Sequence, residues 1–350
     1  MRGARRFLAH ESRSKYTLFL RKWQGDSKKT AFFWLIICFF VYLHPFFSEK
    51  NHLYLYIIRY AREKWVNMAW YLHEKELGLN NKEQDIFMDK KIKALFFDID
   101  GTLVSFKSHR IPQSTVDALE QAKKNGVEVY ISTGRPKQII NNLGQIEHLI
   151  DGYITTNGAR CFVEDTLVSQ HAILPSDVKK IIEAADRDNY PAIVVSESRF
   201  AIHHYTDEVY EIFCKGLGVD SSIFITDVDE LGDEPILQVT PFCTVEQEAL
   251  LMPTLENCTS GRWHPAFTDI TARGADKGKG LHAMADYLGL NIEETMAFGD
   301  GGNDISIIKK AGVGVAMGNA GDELKQVADY ITTHVDEDGV KNALIKYGVI

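Results

Sequence analysis

Phe97-Asp98-Ile99-Asp100-Gly101-Thr102-Leu103 ends a short, nearly continuous apolar run over residues 92–97. A run of that length without polar alternation is expected of a parallel strand buried on both faces. Downstream, residues 113–125 carry helical spacing. Val116, Leu119 and Ala122 share one stripe, Ser114 suits the N-cap, and Gly126 follows the last turn. Residues 127–132 read as the next strand, which ends in Thr133-Gly134-Arg135-Pro136, and Pro136 suits the first turn of a helix reaching about Leu149. A third strand is expected at 150–155, followed by the turn Thr156-Asn157-Gly158-Ala159. The pattern resumes near the end: a strand at 295–298 leads into Gly299-Asp300-Gly301-Gly302-Asn303-Asp304 and a helix through Lys310, and strands at 314–317 and 330–332 close the sheet. This order predicts an α/β fold built on a doubly wound, Rossmann-like parallel sheet.

In such sheets ligands bind beyond the carboxyl ends of the strands. Asp98, Asp100, Thr133 and Asp300 all stand at expected strand ends and should converge on one cleft. Asp98 and Asp100 are two residues apart, and carboxylates that close repel unless a cation or a proton holds them. A hard cation such as Mg²⁺ takes oxygen ligands and usually keeps water. Asp300, Asp98 and the Asp100 carbonyl would supply such a set. An isolated Asp-x-Asp-Gly is more often a solvated turn.

The ordered set Phe97–Leu103, Ser132-Thr133-Gly134-Arg135-Pro136, Lys277 and Gly299–Asp304 resembles the four motifs of the haloacid dehalogenase (HAD) superfamily. More narrowly, it is similar to the Cof-type branch, which inserts a cap between the second and third motifs and includes many sugar-phosphate phosphatases. The resemblance covers residues 88–350. It implies that Asp98 attacks phosphorus and becomes an aspartyl-phosphate. It implies that Asp100 protonates the leaving oxygen and then deprotonates the hydrolytic water, and that second acid favours a phosphatase over a dehalogenase. Ile99, Thr133, Gly134, Lys277 and Asn303 are then phosphate-binding, with Thr133 and the Gly134 amide at a helix start and Lys277 supplying fixed positive charge. Asp98, Asp100 and Asp300 form the metal set, and Asp304 orients Lys277 or a metal-bound water. Lys279 is the neighbour most easily confused with Lys277.

Between the first and last parts, residues 168–262 change texture. Helical stretches at 176–188, 207–217 and 245–252 alternate with strands at 192–196, 200–204 and 236–240, and Thr244 with Gln247 forms a capping-box signature. An α+β cap is therefore expected at 168–262, between core segments 88–167 and 263–350. Such an insertion would close over the cleft and exclude water. Arg262, Trp263, His264, His203 and His204 are candidate substrate contacts, and Asn157 is a candidate for the cleft wall.

The 350 residues carry 39 Lys+Arg and 48 Asp+Glu, a net charge of −9, but the charge is divided. Residues 1–87 hold 15 basic and 8 acidic side chains (+7), leaving 24 and 40 (−16) for the rest. Those 87 residues also hold 19 of the 38 aromatics. An acidic body argues against a nucleic-acid partner, which needs a basic footprint. Five scattered cysteines without a Cys-x-x-Cys pair exclude a zinc knuckle and give no disulfide framework. Residues 31–47 contain no Asp, Glu, Lys or Arg, but 17 residues with His44 and Pro45 are short for a span. The preferred reading of 1–87 is an extension from a translation start set too far upstream, since Met88 directly precedes the first core strand. The alternatives are a membrane-associated segment and a soluble helical appendage.

Together these features predict a cytoplasmic, Mg²⁺-dependent phosphatase of small phosphorylated metabolites, sugar monophosphates foremost. The runner-up substrate is a phosphorylated cofactor or nucleotide. The rival of another class is a membrane-tethered regulatory or binding protein on the same fold.

Overall fold

The computed structural model describes residues 91–350 apart from Leu217 and Thr226. The readings of residues 1–87, including the apolar segment at 31–47, lie outside the described residues. Cys161, Cys214, Cys243 and Cys258 are free and buried. Among the described residues no helix is long and apolar enough to cross a membrane.

Strand β1 (Ala94–Phe97) is fully buried, as its apolar run requires. It pairs in parallel with β2 (Glu128–Ser132) on one side and with β12 (Thr295–Gly299) on the other. Beyond β2 lie β3 (Gly152–Thr155), β4 (Arg160–Val163) and β5 (Thr166–Gln170), and beyond β12 lie β13 (Val313–Ala316) and β14 (Tyr330–Ile331). The sheet order is therefore β14-β13-β12-β1-β2-β3-β4-β5, parallel from β14 to β3 and antiparallel from β3 through β5. Along β1 the side chains alternate between faces. Leu95 and Phe97 join the core under α1 (Gln113–Lys124) and the C-terminal helix Gly339–Lys346, whereas Ala94 and Phe96 join the core under Lys277–Leu288 and Ile305–Lys310. Helices thus cover both faces, the doubly wound arrangement expected from the sequence.

Two local expectations fail. The helix expected from Pro136 to about Leu149 does not form. Pro136 is extended (ψ 149°), and the segment contains 3₁₀ turns at Lys137–Ile139 and Glu147–Leu149. A proline favours a helix start only when its ψ turns helical, and the Asn141-Asn142 pair and Gly144 that follow are weak helix formers. The helix expected at 207–217 is α-helical only over Asp207–Val209 and winds as a π-type turn over Tyr210–Gly216.

A second, six-stranded sheet runs β10-β11-β9-β6-β7-β8, from β6 (Ala192–Ser196), β7 (Phe200–His203), β8 (Phe224–Ile225), β9 (Ile236–Pro241), β10 (Cys258–His264) and β11 (Phe267–Ala272). It continues past residue 262 to Ala272, while β5 keeps the chain in the first sheet to Gln170. On one face, Val194, Ala201, Val239 and Ile270 pack with Ile181, Ala184 and Ala185 of α2 (Pro175–Asp188) and with Leu251. On the other, Ile193, Val195, Phe200 and Ile202 pack with Ile139 from the turn after β2. The capping box at Thr244 and Gln247 forms and starts the helix Val245–Leu251.

Asp177, in the first turn of α2, ties the helix to the strand that returns the chain. Its buried carboxylate accepts the backbone N–H groups of Glu256 and Asn257 at 2.9–3.1 Å. Burial alone would raise its pKa, yet those donors outweigh burial and hold it below the usual carboxylate value. A depressed pKa means stability present above the unfolded-state pKa and lost as pH falls through the folded one. Asp177→Ala removes the acceptor of two backbone N–H groups, so urea unfolding at neutral pH should show a loss of about 1–3 kcal/mol that shrinks in acid.

Candidate active site

Register brings the acidic residues together. Phe97 on β1 stands opposite Phe298 on β12, their rings stack at 4.6 Å, and the Asp98 amide bonds to the Phe298 carbonyl at 3.1 Å. Asp98 and Asp300 therefore leave adjacent parallel strands at the same end of the sheet. Gly101 permits the approach: it has φ +86°, and a Cβ there would overlap the Asp300 carboxylate and the Phe106 ring. A side chain at that position is strained by backbone and contact alike.

Lys277 is the first residue of the helix Lys277–Leu288, and the preceding Asp276 caps that helix through the Lys279 amide at 2.8 Å. Its side chain is fully buried, and Nζ donates to Asp98 Oδ1 at 2.7 Å and to Asp304 Oδ1 at 2.6 Å. Lys279 instead turns outward to the Arg273 carbonyl, which settles which lysine reaches the cleft. Asp304 is used at both ends, since its Oδ2 accepts the Asp300 and Gly301 amides at 3.0 Å. One carboxylate thus fixes both the lysine and the loop that carries Asp300.

Asp100 is held apart from this group. Arg135 embraces it in a bidentate pair, Nε to Oδ2 at 2.7 Å and Nη2 to Oδ1 at 2.9 Å. Thr133 is buried, its Oγ1 accepts the Arg135 amide at 3.0 Å, and its carbonyl accepts the Asn157 amide at 3.1 Å. Because Pro136 does not begin an α-helix, Thr133 and Gly134 sit in a loop and not at the helix start expected for them. Thr156 and Asn157 both adopt φ +53°, costly for a β-branched threonine, and this presents Asn157 to the loop. Asn303 Nδ2 donates to Asn157 Oδ1 at 2.9 Å, and a Cβ on Gly134 would press on both asparagines. Asn157, Asn303, Thr133 and Gly134 accordingly share one rim. Ile99 is completely buried in the core, which leaves its backbone as the part able to face the cleft.

The cap candidates find their partners within the inserted segment. Arg262 pairs with Glu248, the Trp263 indole donates to Asp269, the His264 ring stacks on Phe267, and His203 and His204 both turn to Asp186. Two contributors went unread in the sequence. Arg135 was read only as part of a motif, without its pairing to Asp100. Asn319, in the turn after β13, donates to the Gly101 carbonyl at 2.7 Å and to Asp300 Oδ2 at 3.1 Å. Its sequence signal is a Gly-Asn pair at one more strand end of the same sheet.

The charge balance calls for a cation. Asp98, Asp300 and Asp304 offer oxygens within 4.8 Å of one another, against one ammonium, so three negative charges meet one positive for a net of −2. Two carboxylates at such a distance repel by about 3 kcal/mol at an effective dielectric near 20. Burial pushes Asp98 up to about 8, with Lys277 pulling down and Asp304 and Asp300 adding to the rise. Burial, then Asp304, pushes Asp300 up to about 7 against Lys277 and the Asn319 hydrogen bond. Burial would lower the Lys277 pKa, but Asp304 and Asp98 outweigh it and raise it above the ordinary lysine value. An all-oxygen set with excess negative charge fits a hard divalent cation. Asp304 is committed to an ammonium and two backbone amides, whereas among the described residues Asp300 meets only the Thr102 hydroxyl at 3.5 Å and the Asn319 amide at 3.1 Å, so Asp98 and Asp300 are the better-placed side-chain ligands.

The pattern of a family described as haloacid dehalogenase-like hydrolase matches residues 95–344. The candidate phosphatase YkrA of Bacillus subtilis (strain 168) is 32% identical over 272 residues, 75% of this chain and 100% of its own length. The 5-amino-6-(5-phospho-D-ribitylamino)uracil phosphatase YcsE of the same organism is 30% identical over 257 residues, 73% of this chain and 96% of its own. Among solved structures, the HAD subclass IIB sugar phosphatase BT4131 superposes with a TM-score of 0.68 at 45% identity, covering 74% of this chain and 100% of its own.

Raised folded-state pKa values mean that, without a cation, Asp98 and Asp300 favour the fold at low pH, and that contribution is lost as pH rises from the carboxylate range through about 7–8. The stabilisation by a divalent cation should grow over the same window. Melting with and without Mg²⁺ should show a small Tm gain at about pH 5 and a larger one at about pH 8. Equal gains at both would rule out cation binding at this cluster.

Proposed function

We propose, for a chain that belongs to the haloacid dehalogenase-like hydrolase family, that it is a phosphatase of small phosphorylated metabolites, sugar monophosphates foremost. The observation that carries this reading is the Lys277 ammonium lying between Asp98 and Asp304, with Asp100 two residues beyond Asp98 on the same strand exit. Asp98 is the nucleophile. Its oxygen attacks phosphorus, the ester oxygen leaves, and an aspartyl-phosphate forms that water then hydrolyses, so one hard step becomes two easier ones. Lys277 keeps the nucleophile oriented and adds positive charge beside the transferring group. Asp100 gives its proton to the leaving oxygen and afterwards takes one from water. Both of its oxygens accept from Arg135 in this structure, so the acid role requires the side chain to turn away from that guanidinium. Thr133, the Gly134 and Ile99 amides and Asn303 receive the phosphoryl oxygens, with Asn157 bracing Asn303.

Asp98, the Asp100 carbonyl and Asp300 would hold Mg²⁺. When bound, the ion neutralises the excess carboxylate charge and polarises the phosphoryl group. Asp304 acts as a positioning residue through Lys277 and the Asp300 loop. We take the inserted cap as residues 171–272, the span between the end of β5 and the end of β11. It would act as a lid that keeps water from the transfer. The sugar-phosphate preference rests on the likeness to the HAD subclass IIB sugar phosphatase. The name of YcsE favours a second reading, a phosphorylated precursor bearing a ribityl chain and a pyrimidine ring.

Phosphate release by the full chain with Mg²⁺, across sugar phosphates and ribityl or nucleotide phosphates, separates the two readings. A cluster of good sugar-phosphate substrates supports the first, and activity confined to the heterocyclic phosphates replaces it with the second. Asp98→Asn, close in size but a poor nucleophile, should lower kcat by at least about 10³-fold with an unchanged circular dichroism spectrum. Turnover at the parent rate would refute the proposed nucleophile.

A further inference from the structure

His203 closes β7, and His204 follows it in the left-handed region, φ +55°. Consecutive side chains on a strand point to opposite faces. The turn out of extended backbone at His204 instead brings both imidazoles to one side, where they stack with centroids 4.0 Å apart and planes 25° apart. Both reach the same atom, Asp186 Oδ1 in the last turn of α2, from Nε2 at 2.8 Å and 3.2 Å. Donor atoms of the three residues lie within 4.8 Å of one another. The neighbouring Arg187 is taken by Asp188, and among the described residues the ion-pair partners of Asp186 are these two rings.

We propose that Asp186, His203 and His204 form a binding site for Zn²⁺, or a divalent cation of its class, on the inserted domain, separate from the carboxylate cluster at Asp98. Two imidazoles and one carboxylate are a donor set suited to zinc and to its neighbours among the transition metals. Ligand bonds of about 2.0–2.1 Å in a tetrahedron put donor atoms about 3.3 Å apart. The two histidine-to-aspartate separations are somewhat shorter than that value, so binding requires the aspartate oxygen to draw back slightly and the stacked rings to rotate until both Nε2 atoms face the ion, side-chain movements that leave the fold unchanged. The fourth position faces solvent, because Asp186 and His204 are exposed. The Asp98 cluster offers oxygen alone and suits a hard cation, so the two sites select different metals. A cation here would tie the end of α2 to the end of β7, two elements joined otherwise by apolar packing in the second core.

The site is tested by dialysing the full chain against micromolar Zn²⁺ in a large excess of Mg²⁺, which occupies the oxygen cluster, and then measuring bound metal. The expected result is one more equivalent of zinc in the parent chain than in His203→Ala/His204→Ala. Asp186→Asn, which keeps both imidazoles, should weaken binding by at least about tenfold. Co²⁺ in place of Zn²⁺ should give the strong visible absorption of a four-coordinate site in the parent chain and lose it in the double variant. Circular dichroism of the variants should match the parent, since the three side chains lie at the surface. Equal zinc in parent and double variant, or complete removal of the parent's zinc by Mg²⁺, would overturn the proposal.

Discussion

The arrangement of this cleft depends on one buried ammonium. Lys277 Nζ lies between Asp98 and Asp304, two carboxylates 206 positions apart in the sequence. Removing a lysine from water is costly, and the group stays charged only because two carboxylates meet it at hydrogen-bond distance. The consequence is structural as well as electrostatic. Asp304, fixed by Lys277 on one oxygen, holds the Asp300 and Gly301 amides with the other, which sets the loop after β12. The helix that begins at Lys277, the strand that ends at Asp98 and the loop that carries Asp300 are thereby locked to one point.

Charge in the cleft remains unbalanced after that lock. Three carboxylates and one lysine leave an excess that raises Asp98 and Asp300 toward neutral pH, and a divalent cation is the economical remedy. Asp100 is paired with Arg135, from the loop after β2. The same loop supplies Ile139 to the packed face of the second sheet. Arg135 and Ile139 thus lie on one short segment that touches both an acid of the cleft and the insertion above it.

Most of the cleft was legible in the sequence because each of its acids follows an apolar strand. Buried parallel strands read as short hydrophobic runs, and whatever follows them lies at the sheet's carboxyl edge. That logic places Asp98, Asp100, Thr133 and Asp300 at strand ends from the sequence alone. It missed Asn319, which also follows a strand but in a turn with no acidic or basic residue to draw attention. The β4–β5 hairpin escaped because Arg160–Val163 and Thr166–Gln170 are short, partly exposed and interrupted by Glu164-Asp165. The helix expected after Pro136 failed because proline fixes φ and leaves ψ free. The pairing of His203 and His204 with Asp186 joins residues from different elements, which no periodicity in one chain segment reveals.

The central claim is that Asp98 takes the phosphoryl group, and trapping that group tests it most directly. The full chain carrying Asp100→Asn, in which hydrolysis of the intermediate should stall, would be mixed with a radiolabelled aryl phosphate, whose good leaving group needs no proton from Asp100. It would then be quenched in acid, and the labelled peptide located by mass spectrometry. The account predicts label on Asp98 that is lost on mild base treatment, as an acyl phosphate requires. Label on another residue, or Asp100→Asn turning over at the parent rate without any covalent label, would contradict it.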